Sequence, residues 1–168
     1  MTVVSSSQVD INWMHQAIEL AQRGAKAGEV PVGAIVVYQG DVIGRGFNQP
    51  ISSHNPVAHA EMMALIEAAQ HLNNYRLVDC DLYVTLEPCT MCAGAIIHSR
   101  INRLVYGAYE PKAGAAGSVT DVFSQPQMNH IVEVTGGVLA EECGQLLSDF
   151  FKARRQAKKL LRQQQKEQ

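Results

Sequence analysis

The chain has no apolar run long enough to cross a bilayer. Its longest, such as residues 32–38, stop far short of the ~20 residues a membrane helix needs. The opening stretch, MTVVSSSQVD, has neither the basic cluster nor the apolar segment of a secretory leader. Cysteine is scarce too: Cys80, Cys89, Cys92 and Cys143 are the full set. Without a secretory signal so few cysteines do not build a disulfide framework. These absences give the expectation of a soluble, cytoplasmic protein with no membrane partner.

Acid is the other scarcity, confined to one end. The last 17 residues, KARRQAKKLLRQQQKEQ, contain seven Lys/Arg and a single acid, Glu167. The rest of the chain carries 15 acidic against 7 basic residues. A basic tail on an acidic body suggests a polyanionic partner. A solvated, helix-favouring tail has the same composition.

With 168 residues and 46% apolar content the chain forms one domain with a substantial core. Asp10, ahead of Ile11, Met14, Ile18, Ala21 and Ala25, reads as the N-cap of an amphipathic helix ending near Gly28. Residues 32–38 and 41–47 read as a hairpin turning at Gln39-Gly40. Met62, Leu65, Ala69 and Leu72 mark a second helix. A strand follows at 81–86, stopped by Pro88, then a helix over 89–100 and a strand over 101–106. Residues 109–130 read as a loop with a short helical piece near 119–123. A strand at 131–134 and a helix from 141 to about 161 complete the chain. That last helix has Cys143, Leu146, Leu147, Phe150 and Phe151 on its apolar face, and the two phenylalanines are expected mainly in the core. The order α-β-β-α-β-α-β-β-α predicts an α/β fold with helices on both faces of a sheet. The expected division is a flexible start over 1–9, a domain over 10–158 and a frayed basic tail over 159–168.

Chemistry concentrates in two short stretches. TLEPCTMCAG places Cys89 and Cys92 three apart at the start of a helix, on one face. The positive helix end favours thiolate there. Such a pair alone fits redox or structural chemistry as well as metal binding. Cys80 and Cys143 read as small buried hydrophobes. VAHAEMMA adds His59 and Glu61. Residues two apart point about 200° from each other around a helix. Both therefore approach a metal only if it lies beyond the helix N-terminus. We expect two helix N-termini to converge on one zinc ion, held by His59, Cys89 and Cys92. Three protein ligands leave the open position of a catalytic zinc. His15, His54, His71, His98 and His130 belong to no second short ligand motif. Glu61 as a fourth ligand would close the site; as a free carboxylate it can carry protons. A structural zinc with Glu61 on the surface is the plain alternative.

His59-Ala-Glu61 with Pro88-Cys89-x-x-Cys92 resembles the signature of zinc-dependent nucleobase deaminases. EVPVGA (29–34), GFNQP (46–50), NPVAHAE (55–61), HSRI (98–101) and KAGAAGS (112–118) are closely similar to bacterial tRNA adenosine deaminases over residues ~10 to 155. The resemblance implies a three-layer cytidine-deaminase-like fold, with a mixed five-stranded sheet between helices, in a homodimer with one zinc per subunit. It implies hydrolytic deamination of adenosine to inosine at the wobble position of a tRNA anticodon, the base being flipped into the site. By the same resemblance Glu61 is the proton shuttle and Asn48 contacts the base and ribose. Val30 and Leu86 wall the base pocket, Ala58 offers its backbone, and Glu110 approaches the flanking nucleotide. Phe151, Arg154 and Arg155 are candidate RNA contacts of the last helix. Two rivals remain at this point: a deaminase of a free base or nucleotide, and a non-catalytic, zinc-held RNA-binding module.

Overall fold

The computed structural model describes residues 7–166. Residues 1–6 of the expected flexible start, and residues 167–168 of the tail, lie outside the described residues. Five strands, β1 (Gly33–Tyr38), β2 (Asp41–Phe47), β3 (Cys80–Leu86), β4 (Arg103–Ala108) and β5 (Glu133–Thr135), form one sheet in the order β2-β1-β3-β4-β5. β1 runs antiparallel to β2 and β3; β3, β4 and β5 are parallel. Four helices cover it: α1 (Gln8–Lys26), α2 (Ala60–Leu72), α3 (Thr90–His98) and α4 (Ala140–Lys166).

Strand alternation sends side chains to two cores. Ala34, Val36, Leu82, Val84 and Leu104 pack with Ala64 and Leu65 of α2 and Ile96 of α3. Ile35, Val37, Tyr83 and Val105 pack with Met14 and Ile18 of α1 and Cys143 of α4. The result is the expected three-layer, cytidine-deaminase-like α/β fold. Gln39 and Gly40 turn the first hairpin at φ 50° and 83°, the positive values a tight two-residue turn demands. α2 lies so close to β2 that a Cβ on Gly46 would run into the carbonyl oxygen of Ala60.

Five local readings change; one is β4, which runs Arg103–Ala108, two residues later than expected. Asp10 is not the cap of α1. Ser7 is, its Oγ accepting the Asp10 N–H at 3.1 Å. Asp10 instead turns under the sheet, 3% exposed. There it accepts the Tyr83 hydroxyl at 2.8 Å and both terminal nitrogens of Arg103 at 2.8 Å. No helix forms at 119–123. Asp121 pairs with Ala116 in an isolated bridge and accepts the N–H groups of Phe123 and Ser124, a side-chain turn that competes with helix. β5 starts at Glu133, two residues late, where pairing with Arg103 of β4 begins. α4 runs to Lys166, through the segment expected to fray. Its packing ends early: Phe150 is half-buried and Phe151 exposed, in edge-to-face contact with each other rather than in the core.

Candidate metal centre and substrate pocket

Because β1 is antiparallel to both β2 and β3, those two strands end at the same edge of the sheet. Ligand sites of open α/β sheets lie beyond such carboxyl ends. β2 leads through residues 48–59 into α2, and β3 leads through Glu87-Pro88-Cys89 into α3. His59 and Cys89 are the N-cap residues of these helices, both with extended backbone (φ −72°, ψ 155° and φ −75°, ψ 172°). Neither side chain caps its own helix. Both turn toward a common point beyond the helix ends.

There the Nδ1 of His59 lies 3.7 Å from Cys89 Sγ and 3.6 Å from Cys92 Sγ. The donor atoms of His59, Cys89 and Cys92 all fall within 4.8 Å of one another. Contact with Cys92 and His59 holds the Cys89 thiol low, at about 3. Contact with Cys89 and burial push Cys92 up, and contact with Cys89 pushes His59 up. Protons are thus shared inside a donor set that a divalent cation satisfies by displacing them. Two sulfurs, one imidazole nitrogen and two helix N-termini fit zinc. Glu61 stands outside the donor set in the first turn of α2, 4% exposed. Burial pushes its carboxyl up to about 7.

A cavity of about 290 Å³ opens onto this cluster. Seven of the residues expected to act on the metal or substrate meet in its wall: Val30, Asn48, His59, Glu61, Leu86, Cys89 and Glu110. Cys92 sits fully buried behind. Ala58 is buried, and its backbone is already engaged: its N–H donates to Asn55 and its carbonyl accepts from Gln49. Phe151 and Arg155 are elsewhere. They line a second cavity of about 500 Å³ between α4 and Pro111-Lys112. Arg154 lies over the Phe150 ring, 5.8 Å from its centroid. Glu110 and Ala113 line the first cavity, and Pro111 and Lys112 between them line the second.

Two carboxylates beside the pocket escape a reading of the sequence. Glu29, 1% exposed, accepts the N–H of Ser52 at 2.7 Å and of Ile51 at 3.4 Å. Glu87, 2% exposed, accepts N–H groups of residues 110, 116 and 118. Burial raises both carboxyls, and these hydrogen bonds outweigh it and hold them below the usual range. The available signal was a lone acid beside an apolar strand, in GEVPVG and in TLEPC.

The cytidine and deoxycytidylate deaminase zinc-binding region matches residues 7–108, which include all three donors and Glu61. The chain is 54% identical over 155 residues to a tRNA-specific adenosine deaminase of Haemophilus influenzae, covering 92% of this chain and 90% of that protein. It is 44% identical over 150 residues to the tRNA-specific adenosine deaminase of Bacillus subtilis, covering 89% and 93%. A solved structure from a study of A-to-I editing by tRNA:A34 deaminases superposes with a TM-score of 0.79 at 43% identity, covering 81% of this chain and 99% of that one. The chain therefore belongs to the cytidine and deoxycytidylate deaminase family, in the group of the tRNA-specific adenosine deaminases.

Proposed function

We propose that this protein deaminates adenosine to inosine at the wobble position of a tRNA anticodon. The observation that carries the reading is the buried carboxylate of Glu61 beside the His59/Cys89/Cys92 cluster, in the wall of the same cavity. A non-catalytic RNA-binding module has no use for such a group. Names and identities of the relatives support adenosine in tRNA over a free base.

Zinc held by His59, Cys89 and Cys92 supplies a water of lowered pKa. Glu61 does the proton work. Burial raises its carboxyl, which suits it to take up a proton and return it. It delivers one proton to N1 of the adenine ring and one to the amino group departing from C6 as ammonia. Water provides the oxygen of inosine. Val30 and Leu86 clasp the flipped base between apolar walls. Asn48 anchors its Oδ1 on Ala60, which leaves the amide nitrogen to donate to base or ribose. The Ala58 carbonyl keeps a second lone pair for the base. Glu110 meets the flanking nucleotide. Phe151, Arg154 and Arg155 hold the RNA along α4. The working unit in this reading is a cytoplasmic homodimer with one zinc per subunit.

The test incubates an anticodon stem-loop bearing wobble adenosine with the protein, with and without chelator, and sequences the product. Inosine at that position, lost with chelator and absent from free adenosine, is expected. Equal turnover of free adenosine or cytidine would replace the reading with a free-nucleoside deaminase.

A further inference from the structure

We propose that Glu87 is a positioning residue that clasps residues 110–118 against the metal end of the pocket, and so sets affinity for the RNA; the RNA part rests on the function proposed above. A buried carboxylate normally needs a cation or a full set of donors. Glu87 takes its donors from one loop. Its Oε1 accepts the N–H of Ala116 and of Ser118, each at 3.0 Å. Its Oε2 accepts the N–H of Glu110 at 3.0 Å and the hydroxyl of Ser118. Every partner donates, so the side chain acts as an acceptor only, the ionised form.

The loop is shaped to this charge. A Cβ on Gly114 would stand 2.5 Å from the Glu87 carboxyl carbon and 2.6 Å from Oε2. Glycine is needed there for space. Backbone bonds join the same segments: Glu87 N–H to Ala108 carbonyl at 2.8 Å, and Ala115 N–H to Pro88 carbonyl at 2.8 Å. Residues 87–88 lead directly into Cys89. The metal end and the loop therefore form one body. On its outer side that loop presents Glu110 and Ala113 to the catalytic cavity, and Pro111 and Lys112 to the second cavity. Loosening the clasp moves walls of both cavities and leaves His59 and Cys92, on α2 and α3, in place.

Glu87→Gln tests this with almost no change of shape. Its amide offers donors where the loop also offers donors. Relative to the unaltered protein, KM for the anticodon stem-loop should rise about 10- to 100-fold, the range for a lost charge-assisted hydrogen bond. That rise should exceed any fall in kcat. Hydrogen exchange of the amides at 110, 116 and 118 should accelerate, with zinc content unchanged. Ser118→Ala and Gly114→Ala should move KM and exchange in the same direction, and they carry the test where Glu87→Gln does not fold. Unchanged KM with unchanged loop exchange would overturn the clasp. So would loss of zinc or of kcat with KM unchanged, which would make Glu87 a support of the metal end alone. Exchange and zinc content are read without substrate. Failure of the unaltered protein to make inosine thus counts against the proposed function, and failure of the exchange to change counts against the clasp.

Discussion

The side-chain oxygen of Asn48 accepts a 2.9 Å hydrogen bond from the backbone N–H of Ala60. Ala60 opens α2, between His59 of the donor cluster and Glu61, the proposed proton carrier. One asparagine thus ties the wall of the cavity to the helix end that carries His59 and Glu61. Asn48 satisfies an otherwise orphaned helix N–H and lines the cavity.

Its two roles separate by substitution. Asn48→Ala should cost about 1 kcal/mol of stability, the usual loss for a removed N-terminal cap. Asn48→Asp keeps the acceptor and should restore the melting temperature. It lacks the amide donor, so KM for the stem-loop should stay raised. Thermal melts beside steady-state kinetics check both; recovery of KM in the Asp variant would remove the donor role.

Glu61→Gln should retain zinc and lose roughly 10²- to 10⁴-fold in turnover, the range for a positioned acid/base. Its stability should not fall, because burial already disfavours the charged carboxylate. Metal analysis, single-turnover assays and denaturant melts together test this. Loss of zinc would show Glu61 to be a ligand.

Stripped of metal, the cysteines should differ in reactivity. Cys89 is half-buried with its thiol held low, at about 3, by Cys92 and His59. Cys80 and Cys143 are buried, and burial pushes their thiols up to about 11 and about 12. With chelator present, alkylation followed by peptide mass mapping should find Cys89 modified first, and zinc should protect it. Equal labelling of Cys80 would refute the order.

Acid should release α1 from the sheet. The Arg103 guanidinium beside Asp10 holds its carboxyl below the usual carboxylate range, against the opposing effect of burial. A lowered folded-state value means the pair stabilises fully above the unfolded carboxylate value of about 3.9. That stability is lost as pH falls from there through the folded value. Asp10→Asn should flatten this part of the pH–stability curve below about pH 4. Arg103→Met, which leaves a buried unpaired charge, should cost about 3–5 kcal/mol at neutral pH. Urea melts across pH measure both.

The exposed end of α4 should matter to RNA and not to folding. Residues 151–166 are all exposed. A chain ending at residue 157 loses Lys158, Lys159, Arg162 and Lys166 and should keep its melting temperature. Its plot of log affinity against log salt should be shallower by about 0.7 per phosphate contact removed. An unchanged slope would mean that these cations do not touch the RNA.

Much of this molecule is written in local pattern. Strand alternation, the Gln39-Gly40 turn and the apolar spacing of α1 and α2 are short-range signals, and each produced its element. The spacings of His59 with Glu61 and of Cys89 with Cys92 point to two helix ends and one donor cluster, and the structure brings His59, Cys89 and Cys92 together there. Signals that depend on partners far along the chain were illegible. Asp10 looks like a cap, being a small acid ahead of an apolar helix, and only the arrival of Arg103, 93 residues away, makes it a buried ion-pair partner. Phe150 and Phe151 fit a core stripe, yet Phe150 is only half-buried and Phe151 is exposed.

The sequence by itself marked out the His59/Cys89/Cys92 donor cluster and the layered order of helices and strands, since each follows from residue type and short spacing. The tertiary structure decided which end of the sheet the two helix ends share, and which loops Glu29 and Glu87 hold through buried hydrogen bonds. A carboxylate states its need for donors in one letter. Where those donors come from, 23 to 31 residues away for Glu87, is settled only when the chain has closed around it.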